Sequence, residues 1–265
     1  MHLIHPFLLK LAHEPAVLVT VAQAQGSVPR EAGTWMAVFK DSELGTIGGG
    51  HLEFQATAQA RLALQNPQPM PPNQAVALGP SLGQCCGGVV HLQFEHVSAA
   101  DIPVLRQRLP VALTPVALFG GGHVGTALVR VLGDLPFSLH WIDSRDEVFP
   151  TQLPAHVLCE HSDPVHAAVN DLAPGSRVLI MSFSHAEDLD VVAACLQRMR
   201  ARQDLPFIGL IGSATKWATF RHRLQARGFH EAELALVTCP IGLPGIQGKS
   251  PAEIAVAVAA QLLLN

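Results

Sequence analysis

Residues 116–143 read VALFGGGHVGTALVRVLGDLPFSLHWID, and this stretch decides the fold. An apolar run, Val116 to Phe119, leads into Gly120-Gly121-Gly122-His123-Val124-Gly125. A helix-like segment follows, and a second apolar run ends at Asp143. A Gly-x-Gly-x-x-Gly turn between a strand and a helix, with an acid about 20 residues further on, is typical of a dinucleotide-binding βαβ unit.

Each glycine of this turn has a predicted role. Gly120 would permit the tight turn, Gly122 would let the backbone approach a phosphate, and Gly125 would let the helix pack closely on its strand. The N-terminus of the helix would offer free N–H groups to an anion. The alternative is a tight strand-to-helix turn that binds nothing.

Asp143 and Arg145 bear on the choice of nucleotide. A carboxylate at the end of the second strand can accept hydrogen bonds from both ribose hydroxyls and repels a 2′-phosphate, which favours NAD over NADP. Arg145 would reverse that preference by pairing with the phosphate. For Asp143, a helix cap or a surface salt bridge is the alternative.

The order of the segments predicts two domains. Beyond a candidate linker, Leu109–Pro115, strand-like and helix-like segments alternate, which predicts a parallel sheet covered by helices. Residues 1–112 mix strand patterns, helix patterns and glycine turns. We therefore predict an α/β protein with an N-terminal mixed α/β domain over residues 1–112 and a Rossmann-like parallel-sheet domain over residues 113–265. A capping box at Ser250-Pro251-Ala252-Glu253 predicts where the last helix begins.

The composition argues against several classes of protein. Only 14% of the 265 residues are charged, the formal net charge is −4 and the lysines are scattered, so we expect no nucleic acid partner. The longest apolar stretch, Ile254–Leu264, is too short to cross a bilayer, and we expect no membrane partner. Five cysteines, two of them adjacent, do not resemble a disulfide framework, which favours the cytoplasm.

Polar residues follow another strand of the predicted parallel sheet. Ser184, His185, Glu187 and Asp188 come shortly after an apolar run that ends at Met181. Because ligands of open α/β sheets bind beyond the carboxyl ends of the strands, we expect such loops to line one cleft. His185 would act there as a general acid or base near neutral pH. The alternative is a solvated surface histidine.

A pair of adjacent cysteines stands out in a chain with so few of them. The sequence there is Gln84-Cys85-Cys86-Gly87-Gly88, and the glycines leave the backbone bare, so the sulfurs could be presented to a ligand. Exposed thiolates are nucleophiles and ligands of soft metals. Cys85 and Cys86 are therefore the predicted metal ligands. The alternative is that these cysteines are small apolar residues that only fill space in the core.

A second glycine loop, Gly48-Gly49-Gly50, lies between a strand pattern and a helix pattern. With the turn Gln25–Arg30 nearby in sequence, it resembles an anion cradle topped by one cation. A purely structural glycine turn is the alternative.

Together these motifs resemble the xanthine dehydrogenase accessory protein family (XdhC/CoxI) through nearly the whole chain. The cysteine motif and the terminal motif are specific, whereas a Rossmann turn alone fits many families. The resemblance is carried by Gly26-Ser27-Val28-Pro29-Arg30, Gly45-Thr46-Ile47-Gly48-Gly49-Gly50-His51-Leu52-Glu53, Gly83-Gln84-Cys85-Cys86-Gly87-Gly88, Gly120–Gly125 with Trp141–Arg145, Ile211-Gly212-Ser213, Cys239-Pro240-Ile241-Gly242-Leu243 and Lys249–Ala255.

The resemblance implies a function that residue spacing does not show. Proteins of this family bind the molybdenum cofactor (molybdopterin), support its sulfuration by a cysteine desulfurase and deliver it to a xanthine dehydrogenase apoenzyme. We therefore expect a cytoplasmic chaperone of purine catabolism that acts as a carrier more than as an enzyme. A homodimer is one of the oligomeric states that the sequence leaves open. We expect the cofactor phosphate on a glycine turn and the molybdenum near the paired cysteines. The predicted cofactor-binding residues are Gln84, Cys85, Cys86, Gly48, Gly49, Gly50, Gly120, Gly122, Gly125, Asp143, Arg145 and His185.

Two alternatives come from the Rossmann half of the chain. One is an NAD(P)-dependent oxidoreductase with His185 as the acid or base and Asp143 on the ribose. The catalytic Tyr-x-x-x-Lys pair that such an enzyme could use is missing, because the chain has no tyrosine. The other is a dinucleotide-sensing regulator of cofactor delivery.

Overall fold

A computed structural model describes residues 3–65, 73–78, 87–109, 113–153 and 156–265. The chain forms two compact units, one within residues 2–110 and one within residues 111–265. Within the described ranges, no helix is both long enough and apolar enough to cross a membrane.

The N-terminal unit is built on a five-stranded antiparallel sheet. Its strands are β1 (Ala16–Gln25), β2 (Trp35–Val38), β3 (Glu43–Gly45), β4 (Gln74–Ala77) and β5 (Val89–Val97), and its helices are α1 (Ile4–Leu11), α2 (Gly50–Gln65) and α3 (Ile102–Arg108). The strands lie in the order β3-β2-β1-β5-β4. Side chains of β1 alternate between the two faces: Val17, Val19 and Val21 pack with α2, and Ala16 and Leu18 pack with α1 and α3. The sheet therefore has a core on each face.

The C-terminal unit is built on a six-stranded parallel sheet. Its strands are β6 (Thr114–Phe119), β7 (Phe137–Asp143), β8 (Val157–His161), β9 (Arg177–Ile180), β10 (Phe207–Leu210) and β11 (Val237–Thr238), and its helices are α4 (His123–Leu132), α5 (His185–Arg202), α6 (Ala214–Ala226), α7 (Glu231–Leu234) and α8 (Pro251–Leu264). Alternate residues of β6 enter opposite cores: Val116 and Leu118 pack with α4 and α8, and Ala117 and Phe119 pack with α5 and α6.

The strand order β8-β7-β6-β9-β10-β11 reverses between β6 and β9. This is the arrangement of the Rossmann fold, in which the crevice at the reversal point receives ligands. The prediction of a Rossmann-like parallel sheet in the second half of the chain is confirmed. The loops that follow β6 and β9 lie at this reversal point.

The last helix begins where its capping box predicts. The hydroxyl of Ser250 accepts the N–H of Glu253 at 3.4 Å, and the Glu253 carboxylate accepts the N–H of Ser250 at 3.1 Å. Pro251 occupies the first helical position, where its missing N–H costs nothing.

Candidate functional site

The turn after β6 requires glycine at two positions. Gly120 has a φ of +121°, and a Cβ atom on it would lie 2.0 Å from the carbonyl oxygen of Met181. A Cβ atom on Gly125 would lie 2.1 Å from the carbonyl oxygen of Gly120. The indole Nε1 of Trp141 donates to the same oxygen at 2.9 Å. Close backbone contacts therefore fix the turn against α4, β7 and β9.

The third glycine of this motif, Gly122, faces open space. Beyond its own chain neighbours, no described atom lies within 4 Å of a Cβ placed there. Gly122 is also the N-cap of α4, and no described side chain caps this helix. Uncapped N–H groups at a helix N-terminus favour an anion. This helix end therefore could receive a phosphate.

Asp143 holds the glycine turn with a buried carboxylate. The residue is 1% exposed. Its Oδ2 accepts the N–H of Gly121 at 2.6 Å and Nη2 of Arg145 at 2.9 Å, and its Oδ1 accepts the backbone N–H and Nε of Arg145, both at 2.9 Å. Because a carboxylate offers about four acceptor sites, these four hydrogen bonds use its capacity. Both oxygens face the protein, and ribose recognition by Asp143 stays a prediction.

The pKa of Asp143 reflects two opposing effects. Burial alone would raise it, but the hydrogen bonds from the Arg145 side chain and from the N–H groups of Gly121 and Arg145 together outweigh burial. The pKa therefore lies below the ordinary aspartate value of 3.8, and the carboxylate is ionised at neutral pH.

Arg145 connects this turn to the loop after β9. Its guanidinium carbon lies 4.6 Å from the ring centroid of Phe183, which is 66% exposed. Glu187 joins the same cluster, because its carboxylate accepts Ser144 Oγ at 2.7 Å and the N–H of Phe183 at 3.1 Å. The cluster presents an exposed aromatic ring and a cation at the carboxyl edge of the sheet.

A buried ion pair lies at the same edge. Lys216 Nζ donates to Asp188 Oδ2 at 2.6 Å and to the carbonyl oxygen of Ile211 at 2.8 Å. Asp188 Oδ1 accepts the N–H of Ser182 at 2.7 Å. Asp188 is 2% exposed. The pair therefore joins the loops after β9 and β10.

His185 is exposed at the first position of α5. Its ring meets that of Phe220 edge-on, with 6.3 Å between centroids. Among the described residues, none forms a hydrogen bond or an ion pair with its imidazole. The neighbouring Ser184 caps the helix by accepting the N–H of Glu187 at 3.2 Å. The acid–base role of His185 stays a prediction.

In the N-terminal unit, Glu53 closes the glycine loop after β3. Its Oε2 accepts the N–H of Ile47 at 3.0 Å, the N–H of Gly49 at 3.1 Å and Oγ1 of Thr46 at 2.5 Å. Thr46 Oγ1 in turn accepts the N–H of Gly48 at 3.2 Å. Three backbone N–H groups of the loop therefore donate to side chains of the protein itself. The three consecutive glycines have φ values between +63° and +126°, which favour glycine.

The turn Gln25–Arg30 lies between two glycine segments. A Cβ atom on Gly48 would lie 2.6 Å from Cγ of Pro29. A Cβ atom on Gly88 would lie 2.5 Å from the carbonyl oxygen of Gln25 and 2.6 Å from that of Ser27. Gly48, the turn Gln25–Arg30 and Gly88 therefore meet at one end of the sheet of the N-terminal unit.

Gln84, Cys85 and Cys86 lie outside the described residues, and their predicted ligand role stays a prediction. Within the described ranges, no group of three or more His, Cys, Asp or Glu residues is arranged to hold a metal ion.

The other three cysteines pack against the two cores of the C-terminal unit. Burial raises the pKa of the Cys159 thiol above 9.0, raises that of Cys195 to about 12 and raises that of Cys239 to about 11. These thiols are therefore protonated near neutral pH and are poor ligands and nucleophiles.

Three residues of these clusters were not among the predicted site residues. Glu53 had a sequence signal, because a glutamate in the first turn of a helix can reach back to free N–H groups. Phe183 and Lys216 had none, because their contacts depend on the order of strands in the sheet.

Comparison with known proteins identifies the family. Residues 116–262 match the model of the XdhC Rossmann domain, and residues 9–70 match the XdhC and CoxI family. The uncharacterized protein YqeB of Escherichia coli (strain K12) is 28% identical over 258 residues, which cover 94% of this chain and 43% of YqeB. The chain thus spans less than half the length of that relative.

A solved structure gives the same result for the fold. The crystal structure of a protein described as a xanthine dehydrogenase (BH1974), from Bacillus halodurans, aligns with a TM-score of 0.78 at 20% identity, over 99% of this chain and 95% of that one. The fold is therefore shared over the whole length. Because the Rossmann-domain model alone covers more than half of its residues, the chain belongs to the XdhC and CoxI family.

Proposed function

We propose that this protein is a carrier of the molybdenum cofactor. It binds the cofactor, supports its sulfuration by a cysteine desulfurase and delivers it to the apoenzyme of xanthine dehydrogenase. Membership of the XdhC family supports an association with that enzyme. The observation that carries the proposal is the meeting of Gly48, the turn Gln25–Arg30 and Gly88 at one end of a sheet.

The position of Gly88 gives this observation its chemical meaning. Gly88 packs against the carbonyl oxygens of Gln25 and Ser27, and the chain enters it directly from Cys85-Cys86-Gly87. A cation, Arg30, closes the same turn. The turn that carries this positive charge thus contacts the residue to which the cysteine motif leads in the sequence.

The available donors fit the cofactor. Its molybdenum carries dithiolene and exchangeable sulfur ligands as well as oxo groups, and the three cysteines in the described ranges are held as thiols by burial. Cys85 and Cys86 are the remaining cysteines of the chain. When bound, the cofactor would supply the metal centre of the recipient enzyme, and this chain would bind and shield it.

A carrier must hold its cargo and then release it. A dissociation constant near 1 μM corresponds to about 8 kcal/mol. A phosphate contact and one or two sulfur ligands are sufficient for binding of that strength.

The test replaces Cys85 and Cys86 together by serine in the full chain. We expect molybdenum bound per protein and activation of the apoenzyme to fall at least about tenfold, because thiolate ligation is lost. Cys159→Ser is the matched control, since that thiol is half-buried in the C-terminal unit. Unchanged binding and delivery in the double variant would contradict the proposal.

A dinucleotide-sensing role of the C-terminal unit is a second candidate. The strand order and the uncapped N-terminus of α4 favour it. Calorimetric titration with NAD and NADP tests it, and saturable binding without turnover is the expected result. Because Asp143 already accepts four hydrogen bonds, we expect little preference of the Asp143 site for one dinucleotide over the other.

A further inference from the structure

We propose that Arg30 binds the phosphate monoester of the pterin guest, so that the turn Gln25–Arg30 forms the phosphate end of the site. This inference rests on the proposed function and extends it by assigning the phosphate to one named side chain.

The backbone beside Arg30 is held in place on both sides. Gly48 contacts Pro29, and the Cγ atom of Arg30 lies 3.7 Å from a Cβ placed on Gly48. On the other side Gly88 packs against the carbonyl oxygens of Gln25 and Ser27. A side chain at either glycine would collide with this turn. Arg30 therefore projects from a turn whose backbone is fixed.

The glycine loop beside Arg30 has few donors left for a phosphate. The N–H groups of Ile47 and Gly49 donate to Glu53, and that of Gly48 donates to Thr46. The carboxylate of Glu53 takes the place that a bound anion has in other glycine nests. An incoming phosphate is therefore left with the neighbouring cation as its strongest available donor.

The guanidinium of Arg30 has its donors available. Arg30 is exposed, and it forms no hydrogen bond or ion pair with any residue that the structure describes. Arg61 and Arg108 of the same unit pair with Glu43 at 2.7 Å and with Glu95 at 2.6 Å. A guanidinium has five N–H donors in a fork that matches two phosphate oxygens.

In the cofactor, the two dithiolene sulfurs that bind the metal and the CH2 group that carries the phosphate are all attached to the pyran ring, so the phosphate lies near the metal. Gly88 contacts the turn that carries Arg30, and it follows Cys85-Cys86-Gly87 directly in the sequence. A phosphate carried near the metal therefore suits a cation whose turn contacts Gly88, which stands two residues after Cys86 in the sequence.

The test compares Arg30→Gln, Arg30→Lys and the control Arg106→Gln in the full chain. Arg106 is an exposed arginine of the same unit, and its guanidinium likewise pairs with no described residue. Two fluorescent probes are titrated, a pterin that carries a phosphate monoester and the same pterin without phosphate. Binding of isolated molybdenum cofactor is measured in parallel, and thermal melting verifies that each variant is folded.

We expect Arg30→Gln to weaken binding of the phosphorylated pterin about tenfold, since a charge-assisted hydrogen bond is lost. Binding of the plain pterin should not change, Arg30→Lys should be intermediate, and Arg106→Gln should equal the wild type. Equal affinities of wild type and Arg30→Gln, equal losses for both pterins, or a wild type that does not prefer the phosphorylated probe would each overturn the assignment. If the wild type binds the phosphorylated pterin through Arg30 but not the molybdenum cofactor, the assignment stands and the carrier function fails.

Discussion

Replacing Asp143 by asparagine tests whether this carboxylate holds the glycine turn. Asparagine keeps the size of the side chain but replaces one oxygen by an NH2 group, which would face donors from Gly121 and Arg145. Removing one partner of a buried pair costs about 3–5 kcal/mol. Because the Arg145 side chain is 36% exposed and can be rehydrated, we expect the free energy of unfolding of the C-terminal unit to fall by about 2–3 kcal/mol.

The assay combines urea unfolding with hydrogen exchange of the Gly121 amide, because two compact units need not unfold in one step. The control is Asp190→Asn, which removes an ion pair with Arg227 whose side chains are 40% and 46% exposed. Exposed pairs contribute less than about 1 kcal/mol. The control should therefore change stability little and leave exchange at Gly121 unaltered.

The effect should also depend on pH with a defined sign. Since folding lowers the pKa of Asp143, its contribution is present above the ordinary aspartate value of 3.8 and is lost as pH falls through the lower, folded-state pKa. Wild type and Asp143→Asn should converge in stability at the acid end. A loss no larger than that of Asp190→Asn, or a difference that grows toward low pH, would refute the reasoning.

Three further substitutions test the packing of the two units. Arg198→Met removes a buried guanidinium that binds Asp204 at 2.7 Å and two carbonyl oxygens. Urea unfolding should show that the free energy of unfolding falls by about 3–5 kcal/mol. A change below about 1 kcal/mol would contradict this. Gly88→Ala places a Cβ atom 2.5 Å from the carbonyl oxygen of Gln25; thermal melting should show a destabilisation of about 1–3 kcal/mol, and an unchanged melting temperature would show that the turn can yield. Glu53→Gln weakens three hydrogen bonds of the glycine loop; hydrogen exchange at its amides should accelerate at a cost of about 1–2 kcal/mol, and unaltered protection would contradict the role of Glu53.

The sequence predicts the C-terminal fold well because the relevant signals are local. A strand, a glycine turn, a helix and a second strand follow one another within residues 116–143, and this order fixes a parallel pair. The capping box before α8 is equally local. In contrast, β3 and α7 have three and four residues, which is too short for any hydrophobic period to appear.

The candidate site is less predictable because its contacts join distant parts of the chain. Lys216 and Asp188 meet only because β9 and β10 are neighbours in the sheet. Gly48 meets Pro29, and Gly88 meets Gln25, through the antiparallel packing of the N-terminal unit. Spacing along the sequence indicates that glycine is needed at such points but not which segment approaches it.

In both glycine turns a carboxylate of the protein accepts at least one hydrogen bond from the N–H groups of the turn, and this affects how such motifs are interpreted. In the N-terminal unit the carboxylate of Glu53 accepts loop N–H groups, and in the C-terminal unit that of Asp143 accepts the N–H of Gly121. Each turn therefore contains its own anion, and its glycines are required by positive φ angles and close contacts whether or not a ligand binds. A ligand anion must then use donors that the internal carboxylates leave free. Among the described residues, the uncapped end of α4 and the guanidinium of Arg30 are two such donors, and Arg30 lies on the turn that contacts Gly88, two residues after Cys86 in the sequence. This is the physical reason to search for the phosphate of the guest at Arg30 first.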